Sequence, residues 1–275
     1  MNQNPLQKYY RQPKIFLKLP TLGKFTNPSS ITGDVEKLPI FGMTGMDQII
    51  IKTPDALLSG ESTVRIIESC CPSIANAWDL SNIDINSLLV AIRIATFGTT
   101  ISMGTICSKC DTENSYDVDI SHFLAHYDTC HFETTVVADD LIIKLKPLNY
   151  KQVSEFGLEN FSLQKQLFQA DSIEDDKQKQ KVLTKLFSEF GILQNKILVA
   201  SIDQVETSDS VVSEYGFIKE WIDNCDQSIV EKIKKVMDLN TRSWKTPTSK
   251  VVCANCGSHE EVDIDLDNSS FFANA

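Results

Sequence analysis

The sequence predicts an α+β fold: a β-rich N-terminal half that also carries helices, a helical insertion, and a two-knuckle element formed by distant hairpins. Three observations carry this. Apolar and polar residues alternate around Cys107-Ser108-Lys109-Cys110 and again around Cys253-Ala254-Asn255-Cys256, which is the period of a half-buried strand. Residues 84–97 instead place Ile85, Leu88, Leu89, Ile92 and Ala95 at spacings of three and four, the period of a helix with a buried face. Between the two cysteine pairs, residues 149–240 read as helical throughout. The expected parts are residues 1–148, mixed and bearing the first cysteine hairpin; residues 149–245, the helical insertion; and residues 246–275, a second cysteine hairpin that returns to complete the first.

Each element has its own signal. Residues 1–12 are polar and read as weakly ordered, with Lys8, Arg11, Lys14, Lys18 and Lys24 expected in a solvated terminal segment. Residues 14–20 have strand character and end at Pro20, and residues 20–23 and 27–30 read as turns. Residues 37–41 and 48–51 read as short strands. Thr53, Pro54 and Asp55 look like a helix start: N-cap, proline at the first helical position, acid in the first turn. The next helix carries Val64, Ile67 and Cys70 on one face and stops at Pro72, and the helix over 84–97 ends at Gly98 as a C-cap. Residues 99–103 and 116–120 predict a hairpin whose turn holds the first cysteine pair. Residues 134–137 and 141–146 predict a second hairpin around Asp139-Asp140.

Further on, Val153, Phe156, Phe161, Leu167 and Phe168 fit short amphipathic helices, and residues 169–180 read as an exposed polar connection or helix start. Val182, Leu183, Leu186, Phe187, Phe190 and Leu193 form a longer stripe, with Gly191 expected to weaken the helix before Ile197. Ile218, Trp221 and Ile222 mark another helix. Ser228 and Glu231 read as a capping box ahead of Ile229, Ile233, Val236 and Met237. Such stripes ordinarily pack into a core, and one of them is a candidate to receive a partner protein.

The chain has eight cysteines. In a reducing cytosol, close C-x-x-C pairs point to metal or redox chemistry rather than to disulfides. Two intervening residues let both thiolates face into one tight turn. Such a turn supplies half of a tetrahedral four-thiolate site with Zn–S distances of about 2.3 Å, and two turns complete it. Cys107, Cys110, Cys253 and Cys256 are therefore the expected ligands of one structural zinc. Each pair follows a strand and precedes an acidic alternating stretch, Asp117-Val118-Asp119-Ile120 in one case and Val262-Asp263-Ile264-Asp265-Leu266 in the other, so the two form an internal pseudo-repeat.

Other arrangements compete with that assignment. A thioredoxin-like pair would open a helix, whereas acidic strands follow both pairs here. A local site from Cys107, Cys110 and Cys130, with His126 or His131, strands the second pair. Two half-sites joined by dimerisation is a further arrangement. Cys70, Cys71 and Cys225 sit in apolar or helical contexts and read as inert buried thiols. His122 and His126 share a helical spacing without a metal-protease signature, and His259 follows the second pair closely enough to lie beside it.

Composition narrows the function. The net charge of −11 opposes a broad phosphate-binding surface. The longest apolar run, residues 88–92, is far short of the roughly 20 residues that span a bilayer. The first eleven residues hold no apolar segment of the secretory type, so the expectation is a soluble protein made in a cytosol. No phosphate loop, nucleophile elbow or kinase signature occurs, and no enzyme is expected. The rival class is a zinc-ribbon nucleic-acid-binding regulator. Lys109, Lys245 and Lys250 would serve it, but the acidic strands after both turns oppose it.

Several stretches taken together carry a family resemblance: residues 18–23 (KLPTLG), 38–46 (LPIFGMTGM), 53–61 (TPDALLSGE), 67–72 (IESCCP) and 88–96 (LLVAIRIAT), followed by the first cysteine pair. In this order they resemble the T4-type tailed-phage baseplate protein family, whose members are linked to baseplate hub assembly. The resemblance spans about residues 15–125 and the C-terminal cysteine pair, and the helical middle matches loosely. It implies a virus-encoded structural or assembly role in a contractile tail, in contact with other baseplate hub or tape-measure proteins and without a membrane. The place implied is the host cytoplasm during assembly, either as a transient chaperone or on the way to the virion tail baseplate. The cysteine pattern carries over onto Cys107, Cys110, Cys253 and Cys256. Pro54 is left as a helix start, and Arg65 and Arg93 as helix-anchored ion-pair partners.

Overall fold

The computed structural model describes residues 4–52, 59–264, 266, 271 and 272. Contacts divide the chain into two units, Met1–Cys130 with Trp244–Ala275, and His131–Ser243. The chain thus leaves the first unit and returns to it at the end.

The first unit opens on a 3-10 turn, Pro5–Tyr9, capped by the Asn4 side chain. Strands β1 (Pro13–Leu17) and β2 (Leu38–Phe41) pair antiparallel and bury Leu17, Leu38 and Ile40. The terminal cations are not all solvated. The Arg11 guanidinium donates to the Gly42 carbonyl at 2.7 Å, the Ser69 carbonyl at 2.6 Å and the Ser69 hydroxyl at 3.0 Å, and pairs with Asp47 at 3.4 Å. A forked guanidinium meets several acceptors at once, so Arg11 fixes the chain start to two later segments.

The strand expected over residues 48–51 is instead part of helix α1 (Gly45–Ile51). Thr44 and Asp47 form a reciprocal capping box, which satisfies free N–H groups at the helix start. That local term outweighs the β preference of Ile49, Ile50 and Ile51. The expected helix start at Thr53, Pro54 and Asp55 lies outside the described residues. Helix α2 (Glu61–Cys70) buries Val64, Ile67 and Cys70 and ends before Pro72. On its exposed side Arg65 pairs with Glu61 one turn back.

Helix α3 (Asn82–Phe97) is the centre of the unit and is buried almost all round. Ser81 caps it, so it begins at Asn82 rather than at residue 84, and Gly98 closes it at φ 91°. In its first turn the buried Asp84 carboxylate accepts from the Thr21 N–H at 3.0 Å and from the Thr21 and Ser81 hydroxyls. Burial raises its pKa, and these hydrogen bonds work against that rise.

Gly42 lies against the other end of α3, where an added Cβ would stand 2.9 Å from the Ala95 carbonyl oxygen. Gly42→Ala is therefore expected to cost about 1–3 kcal/mol. Calorimetry checks this through the melting transition of the first unit, and an unchanged transition would contradict the close approach.

Arg93, on the same helix, is not an ion-pair partner among the described residues. It is 2% exposed, and its acceptors are carbonyls: Phe271 at 3.0 Å from Nε and Thr100 at 3.4 Å from Nη2. Its guanidinium also lies 4.6 Å from the centre of the Phe97 ring. Strands β3 (Thr100–Ile106) and β4 (Glu113–Asp119) form the predicted hairpin, and helix α4 (Ser121–Thr129) packs Phe123 and Tyr127 below it against α3.

The second unit begins with the hairpin of β5 (Thr135–Ala138) and β6 (Leu141–Leu145), which turns at Asp139 with φ 53°. Sequence alone places this hairpin with residues 1–148, whereas contacts group it with His131–Ser243. Helix α5 (Tyr150–Ala170) starts at an Asn149–Gln152 capping box and runs unbroken for 21 residues, not as several short helices. After a short turn, Asp175 caps α6 (Asp176–Ala200). Gly191 does not end α6. A glycine costs about 1 kcal/mol in a helix, and burial of Leu193, Leu198 and Val199 outweighs it.

The helical reading of residues 149–240 is then interrupted. β7 (Ile202–Glu206) pairs with β6, setting Val205 against Ile143, and β8 (Val211–Val212) extends the sheet to the order β5-β6-β7-β8. Helices α7 (Tyr215–Asn224) and α8 (Gln227–Ser243) complete the unit. α8 begins at Gln227, so Ser228 lies inside its first turn rather than capping it. The core joins Ile143, Leu145, Leu198, Ile202, Ile218 and Ile233, and α5 and α6 share a smaller one around Leu163, Leu186 and Leu193.

Back in the first unit, β9 (Ser249–Val252) and β10 (His259–Val262) form the second cysteine hairpin. β10 ends at Val262, short of the alternating stretch the sequence suggests. All described ladders are antiparallel, as an α+β fold requires.

Candidate metal centre

The two cysteine turns are built alike. In the first, the Cys107 N–H donates to the Thr112 carbonyl and the Asp111 N–H to the Cys107 carbonyl, each at 2.9 Å. In the second, Cys253 donates to the Ser258 carbonyl and Gly257 to the Cys253 carbonyl, again at 2.9 Å. The fourth residue after the leading cysteine is left-handed in both, with φ 53° at Asp111 and 67° at Gly257. Aspartate and glycine are among the residues that enter this region at lowest cost.

The turns face one another. The four sulfur atoms lie within 4.8 Å of each other, with Cys107 to Cys256 and Cys110 to Cys253 both at 3.7 Å. A tetrahedron of sulfurs held about 2.3 Å from a central ion has edges of about 3.8 Å. The two 3.7 Å separations match that edge and far exceed the roughly 2.05 Å of a disulfide. All four are free thiols, and the site is able to hold a metal ion. The structure brings the second pair to the first, as the spacing argument expects, and not Cys130, whose sulfur lies 3.3 Å from His126 Nε2. His259 is exposed at the start of β10.

Polar groups tie the knuckles together around the sulfurs. The Asn114 side chain accepts from the Ala254 N–H at 3.1 Å and reaches Cys253 Sγ at 3.5 Å. Asn255 donates to the Thr112 hydroxyl at 3.0 Å. The Ser108 N–H and hydroxyl both donate to Glu260 at 2.8 Å. Hydrogen bonds with the Thr112 hydroxyl and backbone hold the Cys110 thiol down at about 6. The Cys256 and Asn255 N–H groups, with the Asn114 amide, lower Cys253. The clustered thiols share their protons, and Cys107 is the one pushed up, to about 11, although the Ser258 hydroxyl and the Lys109 N–H favour its thiolate. Filling the site with a metal must therefore release protons.

Sequence reasoning passed over Asn114, Thr112, Ser258 and Glu260, because such supporting groups obey no spacing rule. Asn114→Ala is expected to weaken metal binding by about 10–100-fold, as measured by competition with a chelator of known affinity. Unchanged affinity would contradict the bridging role.

The remaining cysteines lie elsewhere. Burial pushes Cys70 up to about 12 and Cys71 to about 11, and also raises Cys225. That is the direction for unreactive thiols.

A family model described as "T4 bacteriophage base plate protein" matches residues 12–273. The chain belongs to this family. The match takes in both cysteine pairs and all of the second unit, where the sequence resemblance is loose. No curated protein and no solved structure gives a significant match. Membership makes this a structural protein of the phage baseplate, whose associates are other baseplate components and whose place is the tail. Among the described residues of the baseplate protein, no helix is long and apolar enough to cross a membrane.

Proposed function

We propose that this baseplate protein is a non-enzymatic structural or assembly factor of the contractile-tail baseplate hub, and that Cys107, Cys110, Cys253 and Cys256 hold one structural zinc ion. The observation that carries the zinc reading is the pair of 3.7 Å sulfur contacts between knuckles that have the same internal hydrogen bonds. Tetrahedral coordination by four soft thiolates favours zinc among the common divalent ions. Four protein ligands leave no position for water or substrate, so the ion clips the fold rather than catalysing. In this reading the ion joins the two ends of a long chain excursion, in which residues 149–245 form an insertion that is mostly helical but carries β7 and β8.

Contacts with hub or tape-measure proteins are supported by the apolar side chains that α5 and α6 leave exposed. Phe161, Phe168, Phe187 and Ile192 are all uncovered, Phe168 by 82%. A contiguous apolar patch marks a protein contact surface, and these four side chains are the candidates to form one.

The test is a pull-down of the tagged chain from infected cells, with zinc measured on the same sample. Hub or tape-measure proteins should be recovered together with zinc. Recovery of nucleic acid alone would overturn the reading. Finding the protein in purified virions would make it a lasting part of the tail, and finding it only in infected cells would make it a transient chaperone.

A further inference from the structure

The geometry of the cysteine cluster suits a second chemistry. Its two close sulfur contacts run between the hairpins, Cys107 to Cys256 and Cys110 to Cys253, each at 3.7 Å. Each contact joins unlike partners. Cys256 is exposed and Cys110 half-buried, whereas Cys107 and Cys253 are 0% and 2% exposed. Both cross pairs therefore set a thiol that a small solute can reach beside one that it cannot.

That is the arrangement of an attacking thiol and a resolving one. The accessible thiolate attacks a peroxide, its sulfur takes one oxygen as S–OH, and the O–O bond breaks to leave one water. The buried thiolate then attacks that sulfur, an S–S bond forms, and the hydroxyl leaves as a second water. Two thiols give up two electrons and two protons, so each disulfide needs one peroxide and no other reactant. To reach the roughly 2.05 Å of a disulfide, each sulfur of a cross pair moves by about 0.8 Å. Hydrogen bonds from the Ala254 N–H to Asn114 and from the Ser108 N–H to Glu260 hold the two turns against each other independently of the sulfurs.

We propose that, once the site has lost its metal, a peroxide closes it as two disulfides between the hairpins, Cys107–Cys256 and Cys110–Cys253, with Cys256 and Cys110 as the attacking thiols. A covalent clip then takes the place of the ion. The exchange of one clip for the other rests on the zinc reading, and the pairing of the sulfurs does not.

The probe is hydrogen peroxide, two equivalents per chain, added to the purified, reduced full chain after chelation and below its melting transition. Unreacted thiols are blocked with N-ethylmaleimide, and the chain is cut with trypsin without reductant. Cleavage after Arg93, Lys109, Lys144 and Lys250 puts Cys107 on residues 94–109, Cys110 on 110–144, and Cys253 with Cys256 on 251–275. The expected product is all three peptides joined, with fragment ions placing the middle link at Cys110 rather than Cys130. Cys256→Ser should leave 110–144 joined to 251–275 and 94–109 free. If that variant misfolds, Cys107→Ser decides the matter, and it should keep the same link with the maleimide on Cys256. The links span 149 and 143 positions, and long closed loops stabilise most, so the closed chain should melt at least about 5 °C above the reduced, metal-free one. The proposal is overturned if 94–109 emerges joined to 110–144 alone, which is closure inside each turn. It is equally overturned if 94–109 stays joined to 251–275 in Cys256→Ser, if the four thiols all take up maleimide, or if the closed chain melts no higher. A chain purified without zinc would defeat the metal reading and leave the linkage map to decide this one.

Discussion

Removing the metal by chelation, or replacing Cys253 with serine, is expected to lower the melting temperature of the first unit by about 8–16 °C and to leave the second unit's transition in place. Two-stranded hairpins are marginal on their own, and both cysteine hairpins are two-stranded. What holds their turns together, besides a few side-chain hydrogen bonds, is the proposed ion. A ligand present at a thousand times its dissociation constant stabilises by about 4 kcal/mol, and in a unit of this size each kcal/mol moves the transition by about 2–4 °C. His131–Ser243 contains none of the four ligands and has apolar cores of its own. Scanning calorimetry with and without chelator reads both transitions. Cys225→Ser serves as the control, since its half-buried thiol lies in the second unit. A first transition that ignores both the chelator and Cys253→Ser would contradict the role given to the ion.

Arg93→Ala is expected to cost about 3–5 kcal/mol, the sum of a large buried cavity and of carbonyls left without a donor. The side chain is fully buried on α3, and its bond to Phe271 fastens a residue 178 positions later in the chain. Arg93→Met restores most of the volume but none of the hydrogen bonds, so its cost should be about half as large. Urea unfolding followed by tryptophan fluorescence measures both in a Trp221→Phe background, where Trp78 and Trp244, both in the first unit, are the tryptophans that remain. A loss below about 1 kcal/mol for Arg93→Ala would show that the Phe271 and Thr100 contacts contribute little.

The contrast between Arg93 and the cysteines shows where the sequence is informative. A C-x-x-C turn is specified within a few residues, by thiol chemistry and by a position that tolerates left-handed backbone, so Cys107, Cys110, Cys253 and Cys256 announce themselves. Arg11 and Arg93 are held by main-chain carbonyls. Every residue has a carbonyl, and no residue type reveals which of them will converge on a guanidinium.

Helix α1 is an intermediate case. Its Thr44-x-x-Asp47 cap stands in the sequence, but a run of three isoleucines masks it. β7 is hidden for another reason: five residues directly after a 25-residue helix are too few to show a change of period. Its partner β6 lies some sixty positions earlier, and the β5–β6 hairpin reveals its unit only once that pairing is known. The large helix α3, with its apolar run and flanking Ser81 and Gly98, is legible because cap, period and stop all agree.

The central claim is that one ion joins two hairpins whose nearest ligands, Cys110 and Cys253, stand 143 positions apart in the sequence. Elemental analysis of the purified full chain, beside Cys107→Ser and Cys253→Ser, tests it most directly. One zinc per chain, lost when either cysteine is replaced, is the expected result. A chain that carries no metal, or that keeps its zinc after a substitution in either knuckle, would contradict it.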